Sequence, residues 1–164
     1  MTEAADTGGP MAGGAASETA VTIGPTDDLD AVRALGIASG LDASEREEKG
    51  IVGAWAARTA GGAMVGAIAL ERSGGLDAVN WMAVDAAFRG RGIASRLLEE
   101  LEREARARGM RRLWATARAP GFFFANGFRA VPDGAEADYL IADCPSCPHY
   151  GRDCTPQPVV KDLT

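Results

Sequence analysis

Hydrophobic spacing along this chain changes several times, and each change marks an element. Val21 and Ile23 alternate with polar neighbours as in a half-buried strand, which Gly24 and Pro25 end. Thr26 is an N-cap candidate for a helix with Asp27 and Asp28 in its first turn, where carboxylates favour the positive helix end. Leu29, Val32 and Leu35 share one face of that helix, and Gly40 closes it. Residues 51–59 and 63–71 read as strands joined by Ala60-Gly61-Gly62, and Ser73-Gly74-Gly75 turns the chain into a third strand over 78–84. Loops this short predict antiparallel neighbours. The strongest helix pattern runs over 91–108, with Ile93, Leu97, Leu98, Leu101 and Ala105 as its apolar stripe. Glu99 with Arg103, Glu102 with Arg106 and Glu104 with Arg108 are i,i+4 pairs, each contributing roughly 0.2–0.5 kcal/mol, and Gly109 stands where a left-handed C-terminal cap belongs. A strand over 112–117, a short helix over 122–126 and closing strands over 128–131 and 139–142 complete the pattern. It predicts an α/β (α+β) fold, with helices flanking a mixed, largely antiparallel sheet. No internal repeat is visible.

Composition narrows the function. A chain of 164 residues, 46% hydrophobic and 24% charged, suits one soluble domain with a real core. Residues 1–18 are small and acidic, too poor in large side chains to offset their ordering entropy, and predict a disordered N-terminal tail. The folded domain is expected over 19–142, followed by a Cys-rich tail over 143–164. No apolar run approaches the ~20 residues of a membrane span, and the start lacks the basic and apolar regions of a secretory signal, so a cytoplasmic location is expected. A net charge of -6 argues against nucleic-acid partners. It leaves room for an anionic cofactor, because backbone amides can supply a local positive field. The expected state is a monomer or homodimer, with no nucleic acid and no membrane as partner.

The segment Val84-Asp85-Ala86-Ala87-Phe88-Arg89-Gly90-Arg91-Gly92-Ile93-Ala94 carries the candidate chemistry. A strand ends at Val84 and a helix begins within the glycines, which allow turn geometries closed to other residues and put no side chain in a ligand's way. Amides from Arg91 to Ala94 would then point outward with the helix dipole behind them, and a pyrophosphate is the natural guest. Arg89 and Arg91 add charge at the rim. A dinucleotide fingerprint would need Gly or Ala at Ser95 and an acidic residue about 20 positions on, where the chain reads Met110-Arg111-Arg112-Leu113-Trp114. A Walker-type loop would need Gly-Lys followed by Ser or Thr, which is absent.

Arg89-Gly90-Arg91-Gly92-Ile93-Ala94 resembles the Gln/Arg-x-x-Gly-x-Gly/Ala signature of the GNAT superfamily of acyl-CoA N-acyltransferases. The spacing of Val84, of the helix ending at Gly109, of the strand through Trp114 and of Asn126-Gly127-Phe128-Arg129 is similar to that superfamily's. The resemblance covers about residues 20–142. It implies an enzyme that moves an acetyl group from acetyl-CoA to a primary amine by direct attack on the thioester. The implied cofactor site runs from Met82, Ala83 and Val84 through Arg89, Gly90, Arg91, Gly92, Ile93 and Ala94 to Ser95. The pantetheine arm would pair with the strand backbone at residues 81–84 and wedge against residues 114–117, with an N–H near Met82 or Ala83 stabilising the oxyanion. Family members often carry a tyrosine where this chain has Phe123, and some a glutamate where it has Ala78. Glu71 is the first substitute for the base and Asp77 the second; Tyr139 and Tyr150, the only tyrosines, are candidates for the acid. The Phe122-Phe123-Phe124 run reads chiefly as core, and also resembles the branch that acetylates glutamate and related amino acids, which points to a small amino-acid-like acceptor.

All three cysteines and the only histidine fall between Cys144 and Cys154. Cys144 and Cys147 have the spacing that lets two sulfurs reach one metal, and His149 and Cys154 would complete a tetrahedral zinc site. A loose tail with at most one disulfide, an iron–sulfur cluster or a redox pair are the alternatives. Two functional alternatives also stand: a protein or peptide N-acetyltransferase, and a non-catalytic acyl-CoA or metal-sensing module.

Overall fold

The alternation at Val21 and Ile23 forms β1 (Val21–Pro25), which pairs antiparallel with β2 (Ile51–Thr59), Val21 opposite Thr59 and Pro25 opposite Trp55. These strands belong to a computed structural model that describes residues 20–41 and 50–163; the expected tail over 1–18 lies outside the described residues. Between them runs α1 (Leu29–Ala38). Its cap is Asp28, whose carboxylate accepts from the Ala31 amide at 3.1 Å, and not Thr26, whose hydroxyl accepts from the Asp28 amide one turn earlier. The chain continues through β3 (Met64–Ser73), β4 (Leu76–Val84), α2 (Ile93–Ala107), β5 (Arg112–Ala117), α3 (Pro120–Ala125), β6 (Arg129–Ala130), α4 (Ala135–Leu140) and β7 (Gln157–Asp162). The seven strands form one mixed, mostly antiparallel sheet in the order β1-β2-β3-β4-β5-β7-β6, so the predicted α/β class is the observed one.

The chain divides into two compact units. Described residues 20–41, 53–69 and 81–101 make the first, with Val32, Trp55, Ile68, Leu97 and Leu98 in its core. Gly66 lets α2 lie close on β3: a Cβ there would stand 3.0 Å from Ile93 Cγ2 and 3.1 Å from Leu97 Cδ1. Residues 50–52, 70–80 and 102–163 make the second, where Trp114, Val131, Ala137 and Val160 form a cluster with Leu76, Ala78 and Leu140 packed against it. Its parallel register joins Ala78 to Trp114 and Val79 to Ala115. No helix among the described residues is long and apolar enough to cross a membrane.

Two expectations need correction. Residues 139–142 do not form a strand: Tyr139 and Leu140 end α4, whose first turn carries Glu136 and Asp138 next to the positive helix end. Nor is 143–164 a tail throughout. β7 pairs with β5 from Arg112↔Asp162 to Ala117↔Gln157 and with β6 at Arg129↔Val160, and buries Val159 and Val160. Pro158 argues against a strand in the sequence, yet it sits one residue inside the start of β7, where a missing N–H costs least, and its carbonyl accepts from the Val131 amide at 3.0 Å.

Candidate active site

β4 ends at Val84, and the chain turns at once. The Asp85 amide donates to Val65 O at 2.8 Å, and the Asp85 carboxylate accepts from the Ala87 amide at 2.9 Å, which starts a short 3-10 turn over Ala86–Phe88. Gly90 and Gly92 follow with φ of 78° and 76°, the left-handed region that disfavours any Cβ. A Cβ at either would meet nothing within 4 Å, so the requirement is conformational and the space beside the turn is open. The two arginines brace this turn rather than only rimming it. Arg89 Nε donates to Val84 O at 3.1 Å, and Arg91 donates to Ala87 O at 3.3 Å with its guanidinium 4.9 Å from the Phe88 ring centroid.

The helix that follows opens without an acidic side chain in its first turn. Its first intrahelical bond runs from the Arg96 amide to Gly92 O at 3.1 Å. The N–H groups before Arg96 therefore have no partner of their own helix, and no acidic side chain stands in the first turn of α2. Ile93 is buried and anchors this start, while Ala94 and Ser95 are half-buried at its surface. Amides at Ile93, Ala94 and Ser95, a helix dipole and two nearby guanidinium groups suit a phosphate or pyrophosphate.

Upstream, Trp81 has φ of 51°, the single positive-φ non-glycine among the described residues. That conformation is costly for a bulky residue and is found where a strand must re-aim its groups. The burial pattern records the break: Asp77 and Val79 alternate as buried positions, then Ala83 and Val84 are buried consecutively. The indole is held in place, since a Cβ at Gly36 would stand 2.6 Å from Trp81 Cε3 and the Arg33 guanidinium lies 5.9 Å from the ring. Met82 and Ala83 directly follow this kink. Nothing in the sequence marks it, because a tryptophan in a strand pattern gives no hint of a left-handed φ.

The candidate carboxylates separate cleanly. Asn80 Nδ2 on β4 donates to Glu71 Oε2 on β3 at 2.7 Å. Asp77, the second choice for a base, is gripped by Arg72 through both oxygens, at 2.6 and 3.0 Å, and this hydrogen bond and charge raise the Arg72 guanidinium above its usual range. Both Asp77 oxygens are occupied by that guanidinium, whereas Asn80 engages only Oε2 of Glu71, so Glu71 is the better candidate. Tyr139 comes to the same strand: its hydroxyl hydrogen-bonds the Ser73 hydroxyl, and Ser73 lies two residues after Glu71, on the same face of β3 by strand alternation. α4, which carries Tyr139, is further pinned by Trp114 Nε1 donating to Glu136 at 3.0 Å and by the Thr116 hydroxyl donating to Leu140 O at 2.8 Å. Phe123 is buried edge-on against Phe122 and Phe128, with centroids 5.3 and 5.1 Å apart, while Phe122 is half-buried and Phe124 exposed, so Phe123 alone of the run belongs to the core.

The cysteine segment folds into successive turns, but it does not assemble a metal site. Cys144, Cys147, His149 and Cys154 are not brought together as a ligand set, and no group of three or more His, Cys, Asp or Glu among the described residues is placed to hold an ion. His149 Nδ1 instead faces the Asp153 carboxylate at 3.0 and 3.1 Å, a contact that holds Asp153 below the usual carboxylate range. Burial pushes the Cys154 thiol up. The expectation of zinc thus finds no support in the arrangement of its proposed ligands.

Residues 47–130 match the acetyltransferase (GNAT) domain family. No curated protein matches the chain. Among solved structures, a GNAT-family acetyltransferase from Staphylococcus aureus Mu50 is 17% identical, with a TM-score of 0.64 over 88% of this chain and 100% of that one. N-acetylglutamate synthase from Neisseria gonorrhoeae, solved with coenzyme A and N-acetyl-glutamate, is 20% identical with a TM-score of 0.65; the match covers 88% of this chain and 35% of the synthase. A GNAT-family N-acetyltransferase from Escherichia coli, solved with coenzyme A, is 18% identical with a TM-score of 0.58, over 88% and 82% of the two chains. At these identities the structural likeness concerns the fold, and the family match over residues 47–130 makes the further point: this chain belongs to the GNAT acetyltransferase family.

Proposed function

We propose that the protein transfers an acetyl group from acetyl-CoA to the primary amine of a small, amino-acid-like molecule. The observation that carries this reading is the start of α2, with two left-handed glycines, open space beside them and no acidic side chain in the first turn. The diphosphate of coenzyme A fits that start, held by the amides of Gly92, Ile93, Ala94 and Ser95. The acyl end would then lie along β4. Trp81 lies three residues, about 10 Å of strand, before Val84 and directly after Asn80. The Met82 or Ala83 N–H, re-aimed by that kink, would receive the oxyanion that forms when the amine attacks the thioester carbonyl.

Glu71 takes the proton that the nitrogen sheds as the C–N bond forms, and the C–S bond then breaks. The departing thiolate needs no acid to leave, because thiols ionise near pH ~8.5. An acceptor that is itself an amino acid accords with the glutamate-acetylating structure among the similar folds. Thiol release from acetyl-CoA, followed across the twenty L-amino acids, spermidine and a free-amino peptide, tests the reading. Turnover on a free amino acid is expected. Coenzyme A binding without turnover on any amine overturns it.

A further inference from the structure

Glu71 and Asp77 lie in the same β3–β4 hairpin and have opposite kinds of partner. Asp77 is only 8% exposed and meets the Arg72 guanidinium, a cation that occupies both its oxygens. Glu71 meets the Asn80 side-chain amide, a neutral donor, through Oε2 alone. The difference matters for proton transfer. A guanidinium holds a carboxylate charged and opposes protonation, whereas an amide fixes its orientation without an opposing charge. Asn80 is also the residue just before the left-handed Trp81, so the same stretch of β4 that re-aims the backbone carries the side chain that grips Glu71.

We propose that Asn80 is a positioning residue: it holds Glu71 Oε2 so that Oε1 is presented to the acceptor nitrogen as the proton acceptor. This rests on the reading of Glu71 as the base. In the transfer, the N–H proton moves to Oε1, the nitrogen lone pair forms the C–N bond, and the C–S electrons leave with the coenzyme thiolate. Asn80 stays neutral throughout and exchanges no proton.

The full-length protein, Glu71→Gln, Asn80→Ala and the near-isosteric Asn80→Asp are compared by thiol release from acetyl-CoA with a mixture of the twenty L-amino acids, from pH 5 to 9. Asn80→Ala is expected to lower kcat about 10- to 100-fold with little change in KM for acetyl-CoA, and to move the acid limb of the kcat/KM profile to higher pH. Asn80→Asp, which puts a like charge beside the carboxylate, is expected to lose at least as much and keeps the test open if the alanine variant folds poorly. In the parent protein, the Asn80 side-chain amide signals should follow a carboxyl titration that disappears in Glu71→Gln. If Glu71→Gln is inactive while both Asn80 variants keep the parent's kcat and pH profile, the positioning role is wrong and the base assignment stands. If Glu71→Gln keeps full turnover, or the parent protein releases no thiol with the mixture, the reading of Glu71 fails and this role fails with it.

Discussion

The two longer helices begin in opposite ways. α1 satisfies its own start: Asp28 accepts from the Ala31 amide, and Asp30 adds a second carboxylate to the first turn. α2 starts after a left-handed glycine with no acidic side chain in its first turn. In a protein with a net charge of -6, that lack of acidic residues at the start of the strongest helix is informative. One helix end is closed by its own side chain and contributes to stability; the other has no acidic side chain in its first turn, which is what the proposed coenzyme site requires.

Giving α2 the carboxylate that α1 has should break the contrast most strongly. Gly92→Asp is expected to weaken coenzyme A binding by at least about 100-fold, through like charge and the left-handed φ, as measured by calorimetry. Removing the cap of α1 should do the reverse: Asp28→Ala lowers unfolding stability by about 1 kcal/mol in denaturant melts and leaves coenzyme affinity unchanged. Arg91→Ala removes one rim charge and its packing on Phe88, so an affinity loss of about threefold and a shallower salt dependence are expected in the same calorimetry. The smallest effect lies far from both helix starts. Hydrogen bonding from His149 lowers Asp153, so this contact contributes above the ordinary aspartate range near pH ~3.9 and is lost as pH falls through the lowered Asp153 value. Acidification should raise amide exchange locally over 147–154, and Asp153→Asn should remove that pH dependence.

Much of the scaffold was legible because its signals are local. The apolar stripe of α2 is buried as predicted, and the Gly109 cap closes it with φ of 80°. The Arg89–Ala94 turn could be read because its two glycines mark it within six residues. Other parts depend on distant partners. Glu102 pairs with Arg106 at 3.5 Å as expected, but it is also buried, and Lys161 from β7 donates to both its oxygens at 2.9 and 3.0 Å while also donating to Asn126 O. β7 itself was hidden by Pro158, and α4 by an alternation at Tyr139 and Ile141 that imitates a strand. The partner of Glu71 could not be read from sequence, since Asn80 lies nine residues away and their meeting requires the β3–β4 hairpin.

The sequence by itself determined the periodic elements, the glycine turn and the shortage of acid at the start of α2, because each is fixed by residues within one or two turns of one another. Tertiary structure decided which carboxylate has a neutral partner and which a cationic one, put a left-handed kink at Trp81, and left the cysteines without a shared metal geometry. Those outcomes depend on which side chains meet across strands and loops, and contact between distant residues is set by packing rather than by local spacing.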